Sequence, residues 1–288
     1  MKTVLTHPPM LNSSSDGVTP LSVQGFDLNE DISTINVLRY LPLDRFLSLL
    51  ELEAMWFSRL GALQDRFECT NPQGARAFVL NLENDPDAVE QCKSLGLWEH
   101  MKASAENGSS GDEGRFMFLV NCWFIGSLET AKMWSDYGDQ GKGIAIRSTV
   151  LQLASSFHIP GGFRQVSKVG RIKYADFKSY VCADDITEKA FIKDQRQYKD
   201  ENEVRILTPN YFHSGCLTPD GIQSGWPQSG QYHPQIKGFF IRCNLTEMIK
   251  SVIVGPNNHS NFRMLMKRIV ARYSLNIDVE QSQIGPIQ

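Results

Sequence analysis

Short, largely apolar runs of strand length recur along this chain and outnumber its segments of helical periodicity. Four are clear, at 35–40, 55–58, 116–124 and 251–254. The connections between them vary in length, so the regular alternation of strand and helix that builds a parallel doubly wound sheet is missing. The pattern predicts an α+β fold with a mixed, split β core and flanking helices.

The chain length and its local composition predict one domain with an arm in front of it. A chain of 288 residues has enough material for one large core. Residues 1–30 are rich in Ser, Pro, Asn and Asp, a composition that buries little apolar surface. We therefore expect a flexible N-terminal arm over 1–30 and a single α+β domain over 31–288.

The overall charge and hydropathy exclude several classes of protein. The net charge is −3, which argues against nucleic-acid binding by the whole surface but leaves room for a local basic groove. No apolar run approaches the roughly 20 residues needed to span a bilayer, and the first residues do not resemble a signal peptide. These features predict a cytoplasmic protein that is not a membrane component.

The cysteines and histidines do not form a recognisable metal motif. The 6 cysteines are scattered without a C-x-x-C pair, and the 6 histidines are equally dispersed. In a chain of this size the pattern indicates reduced thiols, and it predicts that no metal is bound.

The acidic stretch before the apolar run at 204–207 offers the clearest candidate chemistry. In a strand Glu201, Glu203 and Arg205 would project from the same face, because side chains alternate. Two carboxylates this close repel each other, and an arginine offsets only part of that cost. The cluster is therefore either a solvated face of an edge strand or a site where paired carboxylates act on a substrate.

A second candidate is an aromatic pair near the end of a predicted helix. Trp134 and Tyr137 are three residues apart, which makes them neighbours on one helical face. Such a pair either fills the core or lines a pocket in which a flat ring stacks. The spacing alone leaves both interpretations open.

Taken in order, several motifs resemble the bacterial family called domain of unknown function 2971. The resemblance extends from about Val37 to Val279. It is carried by Arg39-Tyr40, Met55-Trp56-Phe57-Ser58, Asp65-Arg66-Phe67-Glu68, Cys122-Trp123-Phe124, Met133-Trp134 with Tyr137, Lys142-Gly143-Ile144, Tyr174 and Glu201-Asn202-Glu203-Val204-Arg205. The family name itself implies no activity.

A more distant resemblance does imply an activity. An arginine on the first strand, a serine ending the second and a late Glu-x-Glu strand are similar to the pattern of Arg-Ser-Glu ADP-ribosyltransferases. The resemblance implies that Arg39 holds a phosphate of NAD and that Ser58 supports the nicotinamide-ribose pocket. It further implies that Glu203 stabilises the oxocarbenium-like transition state and that Glu201 positions or deprotonates the acceptor.

From these resemblances we expect an ADP-ribosyltransferase-like fold that uses NAD as its substrate. Glu203 and Glu201 would be catalytic, and the nucleotide pocket would be lined by Arg39, Tyr40, Ser58, Trp134 and Tyr137. The reaction would be ADP-ribosyl transfer to a protein or nucleic acid, or NAD hydrolysis, in a toxin–antitoxin or phage-defence effector.

Two other functions are compatible with the same residues. The first is a non-enzymatic module that binds a ligand or partner in an aromatic cleft around Trp56, Trp134 and Tyr137. The second is a Mg²⁺-dependent hydrolase or nuclease that uses the carboxylates of Asp65, Glu68, Glu201 and Glu203.

Overall fold

A computed structural model describes residues 20–65, 67–70, 72–99, 101–102, 110–180, 186–211, 216–217 and 237–287. The strands are β1 Ser22–Gln24, β2 Asn36–Leu41, β3 Ala54–Arg59, β4 Phe118–Ile125, β5 Ile144–Thr149, β6 Lys168–Arg171, β7 Lys173–Ala175, β8 Ile192–Asp194, β9 Glu203–Pro209, β10 Cys216–Leu217, β11 Gly238–Arg242, β12 Ser251–Val254 and β13 Asp278–Gln281. The helices are α1 Leu43–Leu52, α2 Gln73–Leu82, α3 Pro86–Ser94, α4 Ser110–Met117, α5 Ala131–Tyr137, α6 Val150–Ser156, α7 Gly161–Val166, α8 Ile186–Lys189, α9 Gln195–Tyr198, α10 Leu245–Met248 and α11 Ser260–Arg272, with 3₁₀ turns at Leu60–Ala62 and Lys199–Glu201.

One mixed sheet organises the described part of the chain. It contains 11 strands, and its main order is β1-β6-β9-β4-β2-β5-β12-β13. On a second branch, β3 pairs with β4, β11 with β3, and β10 with β11. The pairs β1–β6 and β12–β13 are parallel and the others are antiparallel. The predicted α+β class with a mixed sheet and flanking helices is confirmed.

The sheet divides where β2 and β3 both meet β4. The C-terminal end of β4 pairs with β2, in the register Leu38 to Phe124. Its N-terminal end pairs with β3, in the register Ser58 to Val120. Between these two pairings β2 and β3 diverge, and α1 connects them directly along the chain. We call this gap the fork.

Apolar side chains of β2 pack on both faces of the sheet, because successive side chains along a strand point to opposite faces. Val37 and Leu41 belong to the largest core cluster, together with apolar residues of α1, α6, α10 and α11. Leu38 and Tyr40 point the other way and pack with Trp134 of α5. The second strand therefore lies between two hydrophobic layers, and the fork opens within the interior of the sheet.

The structure differs from the sequence prediction in four segments. Ser22–Gln24, within the predicted arm, pairs with β6, whereas residues 1–19 lie outside the described part. The segment 162–166, whose sequence favours a strand, lies in the short helix α7 after Pro160. A single helix predicted over 186–198 is interrupted by β8, which pairs with β7. The acidic strand begins at Glu203 and not at Glu201. Pairing with a distant strand explains the differences at Ser22–Gln24 and at β8. The helix α7 has only 6 residues, which is too short to show helical periodicity in the sequence.

Among the described residues, no helix is both long enough and apolar enough to cross a bilayer.

Candidate functional site

A pocket of about 190 Å³ lies at the fork. Residues of four elements line it: β2, α1, β3 and β11. The lining residues are Arg39, Leu41, Arg45, Ser48, Leu49, Ala54, Met55, Trp56 and Phe240. Two are arginines and none is acidic, so the lining carries a positive charge that no lining carboxylate balances.

Arg39 is held in place at the fork by β4, the strand with which β2 and β3 both pair. Its Nη1 donates a hydrogen bond to the backbone carbonyl of Cys122, on β4. Its Nε is buried and donates to no group among the described residues. Burial lowers the pKa of Arg39, and the nearby Arg45 cation acts in the same direction. A buried guanidinium with an unused donor beside a second cation favours an anionic ligand.

The helix α1 supplies the other polar groups of the pocket. Arg45 and Ser48 are three residues apart and therefore lie on one face of the helix. The neighbouring positions Phe46, Leu49 and Leu50 are buried and anchor α1 on the sheet. The apolar face thus fixes the helix and leaves Arg45 exposed at the pocket.

Aromatic rings form the wall opposite α1. Trp56 of β3 and Phe240 of β11 are directly paired across the two strands. Their ring centroids are 5.1 Å apart, and the planes meet at 70° in an edge-to-face arrangement. The indole Nε1 of Trp56 donates to the hydroxyl of Ser58 at 2.9 Å. Ser58 therefore orients the aromatic wall, although it does not line the pocket itself.

The predicted catalytic glutamates lie in a buried ion-pair network. Lys193 Nζ lies 2.7 Å from Glu201 Oε2, 2.8 Å from Glu203 Oε2 and 3.4 Å from Glu68 Oε1. Arg205 contacts Glu203 through Nε at 2.8 Å and Glu68 through Nη1 at 3.0 Å. Glu203 and Arg205 are buried on β9, which lies between β4 and β6, so these two side chains are neither on an edge strand nor on a solvated face.

The charges of the network stabilise one another. Burial by itself would raise the pKa of Glu203, but Arg205 and Lys193 hold it at about 2. Burial would lower the pKa of Lys193, but the carboxylates of Glu203 and Glu68 outweigh that effect and raise it. The pKa of Arg205 is likewise raised against burial by Glu203 and Glu68. Glu203, Lys193 and Arg205 are therefore charged at neutral pH, and each lies beside a group of opposite charge.

Tyr137 lies between the network and the surface. Its hydroxyl donates to Glu201 Oε1 at 2.7 Å, and burial together with Glu201 raises its pKa. The carboxylate of Glu203 also acts on Arg39 and favours its protonated form. The network and the fork are therefore within electrostatic range of each other.

Two other residues expected in the nucleotide pocket are core residues. The indole of Trp134 is 0 % exposed, and its Nε1 donates to Glu129 Oε2 at 2.7 Å. Tyr40 packs edge-to-face on Trp134 at 4.9 Å, and its hydroxyl accepts a hydrogen bond from the Thr130 amide. Neither ring is available to stack on a ligand, because both are enclosed between α5 and the sheet.

The structure thus divides the predicted site residues into three groups. Arg39 lines the fork pocket, and Ser58 supports its aromatic wall. Glu201 and Glu203 contact Lys193, and Tyr137 joins this network through Glu201, whereas Tyr40 and Trp134 are enclosed in the core. Arg45, Ser48 and Lys193 were not expected from the sequence, and only the i,i+3 spacing of the first two on an amphipathic helix was visible there.

No group of three or more His, Cys, Asp or Glu side chains in the described segments is arranged to hold a metal ion. The carboxylates of Glu68, Glu201 and Glu203 instead surround the ammonium group of Lys193.

Comparison of the chain with protein families, with curated proteins and with solved structures found no match. The function is therefore inferred from the geometry of the chain itself.

Proposed function

We propose that the protein binds a small anionic ligand of the nucleotide class in the fork pocket. One observation carries the proposal: Arg39 and Arg45 line the pocket together, and none of its lining residues is acidic. Guanidinium groups match the geometry of phosphate and carboxylate through paired hydrogen bonds. An anion in the pocket would relieve the repulsion between the two arginines and give Arg39 Nε an acceptor.

The aromatic wall supports a ligand that carries a flat ring as well as a charge. Trp56 and Phe240 present their rings to the same pocket that the arginines line. Aromatic faces and edges bind planar rings without requiring a particular base or substituent. A nucleotide combines these two features, a phosphate and a planar ring.

The volume of the pocket limits how much of the ligand it encloses. Pockets that bury most of a drug-sized molecule measure roughly 300–1,000 Å³. At about 190 Å³, the fork holds a phosphate with part of a ring or sugar. A dinucleotide such as NAD would therefore bind with one end in the fork and the rest outside it.

NAD-dependent ADP-ribosyl transfer or NAD hydrolysis, on an ADP-ribosyltransferase-like fold, is the second candidate. The electrostatic effect of Glu203 on Arg39 favours it, because a phosphate-binding arginine and a glutamate are near each other. The ion pairs of Glu203 weigh against it. A carboxylate matched to Arg205 and Lys193 stabilises a developing sugar cation less than an unpaired one does. Ligand binding therefore ranks ahead of catalysis.

Thermal unfolding with AMP, ADP-ribose, NAD, inorganic phosphate and nicotinamide tests the proposal. We expect the phosphate-bearing nucleotides to raise Tm most, because a ligand that binds the native state stabilises it by mass action. Arg45→Gln, at an exposed position, should abolish the shift, and Lys93→Gln on the exposed helix α3 is the matched control. Shifts that are equal in both variants would contradict the fork as the binding site.

Release of nicotinamide from NAD separates the two candidates. Turnover that Glu203→Asp reduces while the NAD-induced Tm shift persists would favour the enzyme. Binding without turnover is the outcome we expect.

A further inference from the structure

The outer face of α11 carries a concentrated positive charge on a protein that is acidic overall. The helix Ser260–Arg272 contains four cations and no acidic residue, whereas the whole chain has a net charge of −3. All four side chains are exposed: Arg263, Lys267, Arg268 and Arg272. None forms an ion pair with another residue that the structure describes. We call these four residues the cationic face.

Folding does not account for the cationic face. The helix is anchored by its opposite side, where Met266 and Val270 are buried in the main core cluster. Arg263 and Lys267 are four residues apart, and so are Arg268 and Arg272. Like charges at this spacing destabilise a helix, and no acid lies within α11 to relieve them. Only Arg272, in the last turn, is favoured by the helix dipole.

The cations form two rows with an apolar strip between them. At 100° per residue, Arg263 and Lys267 lie on one flank of the exposed surface and Arg268 and Arg272 on the other. Met264, which is 62 % exposed, lies between the two rows. Leu265 borders the second row and is 49 % exposed. A polyanion with negative charges on both sides of a channel would match this arrangement.

We propose that the cationic face binds the phosphate backbone of double-stranded DNA, with α11 lying in the major groove. A helix is about 10–12 Å across, and the major groove is about 12 Å wide. The two rows would each face one phosphate strand, and Met264 would point toward the floor of the groove. Arginine and lysine contacts to phosphate dominate the affinity of such complexes.

An anionic membrane is the alternative polyanionic surface, and the structure disfavours it. Interfacial helices bind by burying their apolar face among the acyl chains. The apolar face of α11 is already packed against the sheet, with Met266 and Val270 nearly inaccessible. The exposed surface of α11 that remains for a partner consists of the cationic face with Asn261, Met264, Leu265 and Ala271.

Fluorescence anisotropy with a labelled 20-base-pair DNA duplex tests the proposal on the full chain. Four phosphate contacts predict a slope of about −3.6 in log K against log salt concentration. The double variants Arg263→Gln/Lys267→Gln and Arg268→Gln/Arg272→Gln should each reduce the slope by about 1.8 and weaken binding at least tenfold. The control Lys93→Gln/Lys178→Gln removes two exposed lysines elsewhere and should stay within twofold of the unmodified protein.

Thermal unfolding of the same variants checks that each is folded. Tm should not fall for Arg263→Gln/Lys267→Gln, because like-charge repulsion is removed. For Arg268→Gln/Arg272→Gln the same gain is offset by the loss of a cation from the last turn of the helix. The proposal is overturned if the duplex does not bind or if the control loses as much affinity as the α11 variants. It is also overturned if vesicles of anionic lipid bind and the DNA duplex does not. Tighter binding of duplex RNA would contradict the major-groove arrangement, because the major groove of A-form RNA is too narrow for a helix.

Discussion

Lys193 and Glu203 form a buried ion pair, with Nζ 2.8 Å from Oε2. The same ammonium group contacts Glu201 at 2.7 Å, and Arg205 binds the other oxygen of Glu203 at 2.8 Å. Both oxygens of the glutamate are therefore occupied by cations of the chain itself. A glutamate held in this way stabilises the sheet, and each of its partners depends on it.

We expect Glu203→Gln to lower the free energy of unfolding by about 3–5 kcal/mol, because removal of one partner leaves buried charge uncompensated. Urea unfolding at pH 7 measures this loss. Glu90→Gln is the matched control, since the Glu90 side chain is 79 % exposed and its contact with Lys93 is 3.9 Å long. A loss below about 1 kcal/mol for Glu203→Gln would show that the network contributes little to stability.

The stability of the protein should depend on pH through the same glutamate. Arg205 and Lys193 hold the pKa of Glu203 at about 2 against the effect of burial, so its ionised form stabilises the fold above its ordinary pKa. This contribution is lost as pH falls toward 2. The pKa of Lys193 is raised, so its contribution is present below its ordinary pKa and is lost only in strong alkali. Between pH 5 and 10 the contributions of Glu203 and Lys193 to stability should therefore be constant.

Unfolding of the unmodified protein and Glu203→Gln at pH 7, 4 and 3 measures this dependence. The difference between the two proteins should narrow as the solution becomes more acidic. A difference that stays unchanged down to pH 3 would assign the acid sensitivity to other carboxylates.

Trp134→Phe should destabilise the protein by about 2–4 kcal/mol, because it leaves a cavity and removes the hydrogen bond to Glu129.

Trp56→Phe is the contrasting variant. This variant should lose more binding free energy for the nucleotide that binds best in the thermal assay than free energy of unfolding, since Trp56 is only partly buried at the pocket. The free energy of unfolding and the ligand affinity, measured on both variants, distinguish a ring that fills the core from a ring that lines the pocket. Equal effects at the two positions would contradict the assignment of one ring to the core and the other to the pocket.

Tyr137→Phe removes one hydroxyl and keeps the ring. The hydroxyl donates to Glu201, and the residue is 44 % exposed, so we expect a stability loss of about 1 kcal/mol. Nucleotide affinity should change less than twofold. A large loss of affinity at unchanged stability would instead mean that Tyr137 contacts the ligand.

Arg39→Lys preserves the charge at the fork but not the planar geometry of the guanidinium. We expect nucleotide affinity to fall by roughly tenfold, because an ammonium cannot contact both Cys122 and an anion as a guanidinium can. Isothermal titration measures the change. Unaltered affinity would mean that only the charge of Arg39 acts on the ligand.

The strands and the fold class could be predicted from local sequence. Ser251–Val254 is a strand with the predicted bounds, and the strand predicted at 55–58 lies within Ala54–Arg59. Apolar runs of this length bounded by polar residues have few other ways to bury their side chains. The helix break at Asp85 was also predictable, since its side chain accepts a hydrogen bond from the Ala88 amide and Pro86 follows.

The local elements follow from the residue types and their order along the chain. The roles of the charged residues depend instead on which distant segments pack together. Glu203 and Arg205 share a strand face as predicted, but Glu68, the second carboxylate that Arg205 contacts, is 137 positions away from it. The fork likewise exists because β2 and β3 pair with opposite ends of the same strand, β4. Local propensity acts over a few residues, whereas the balance of buried charge depends on contacts that form only when distant segments pack together.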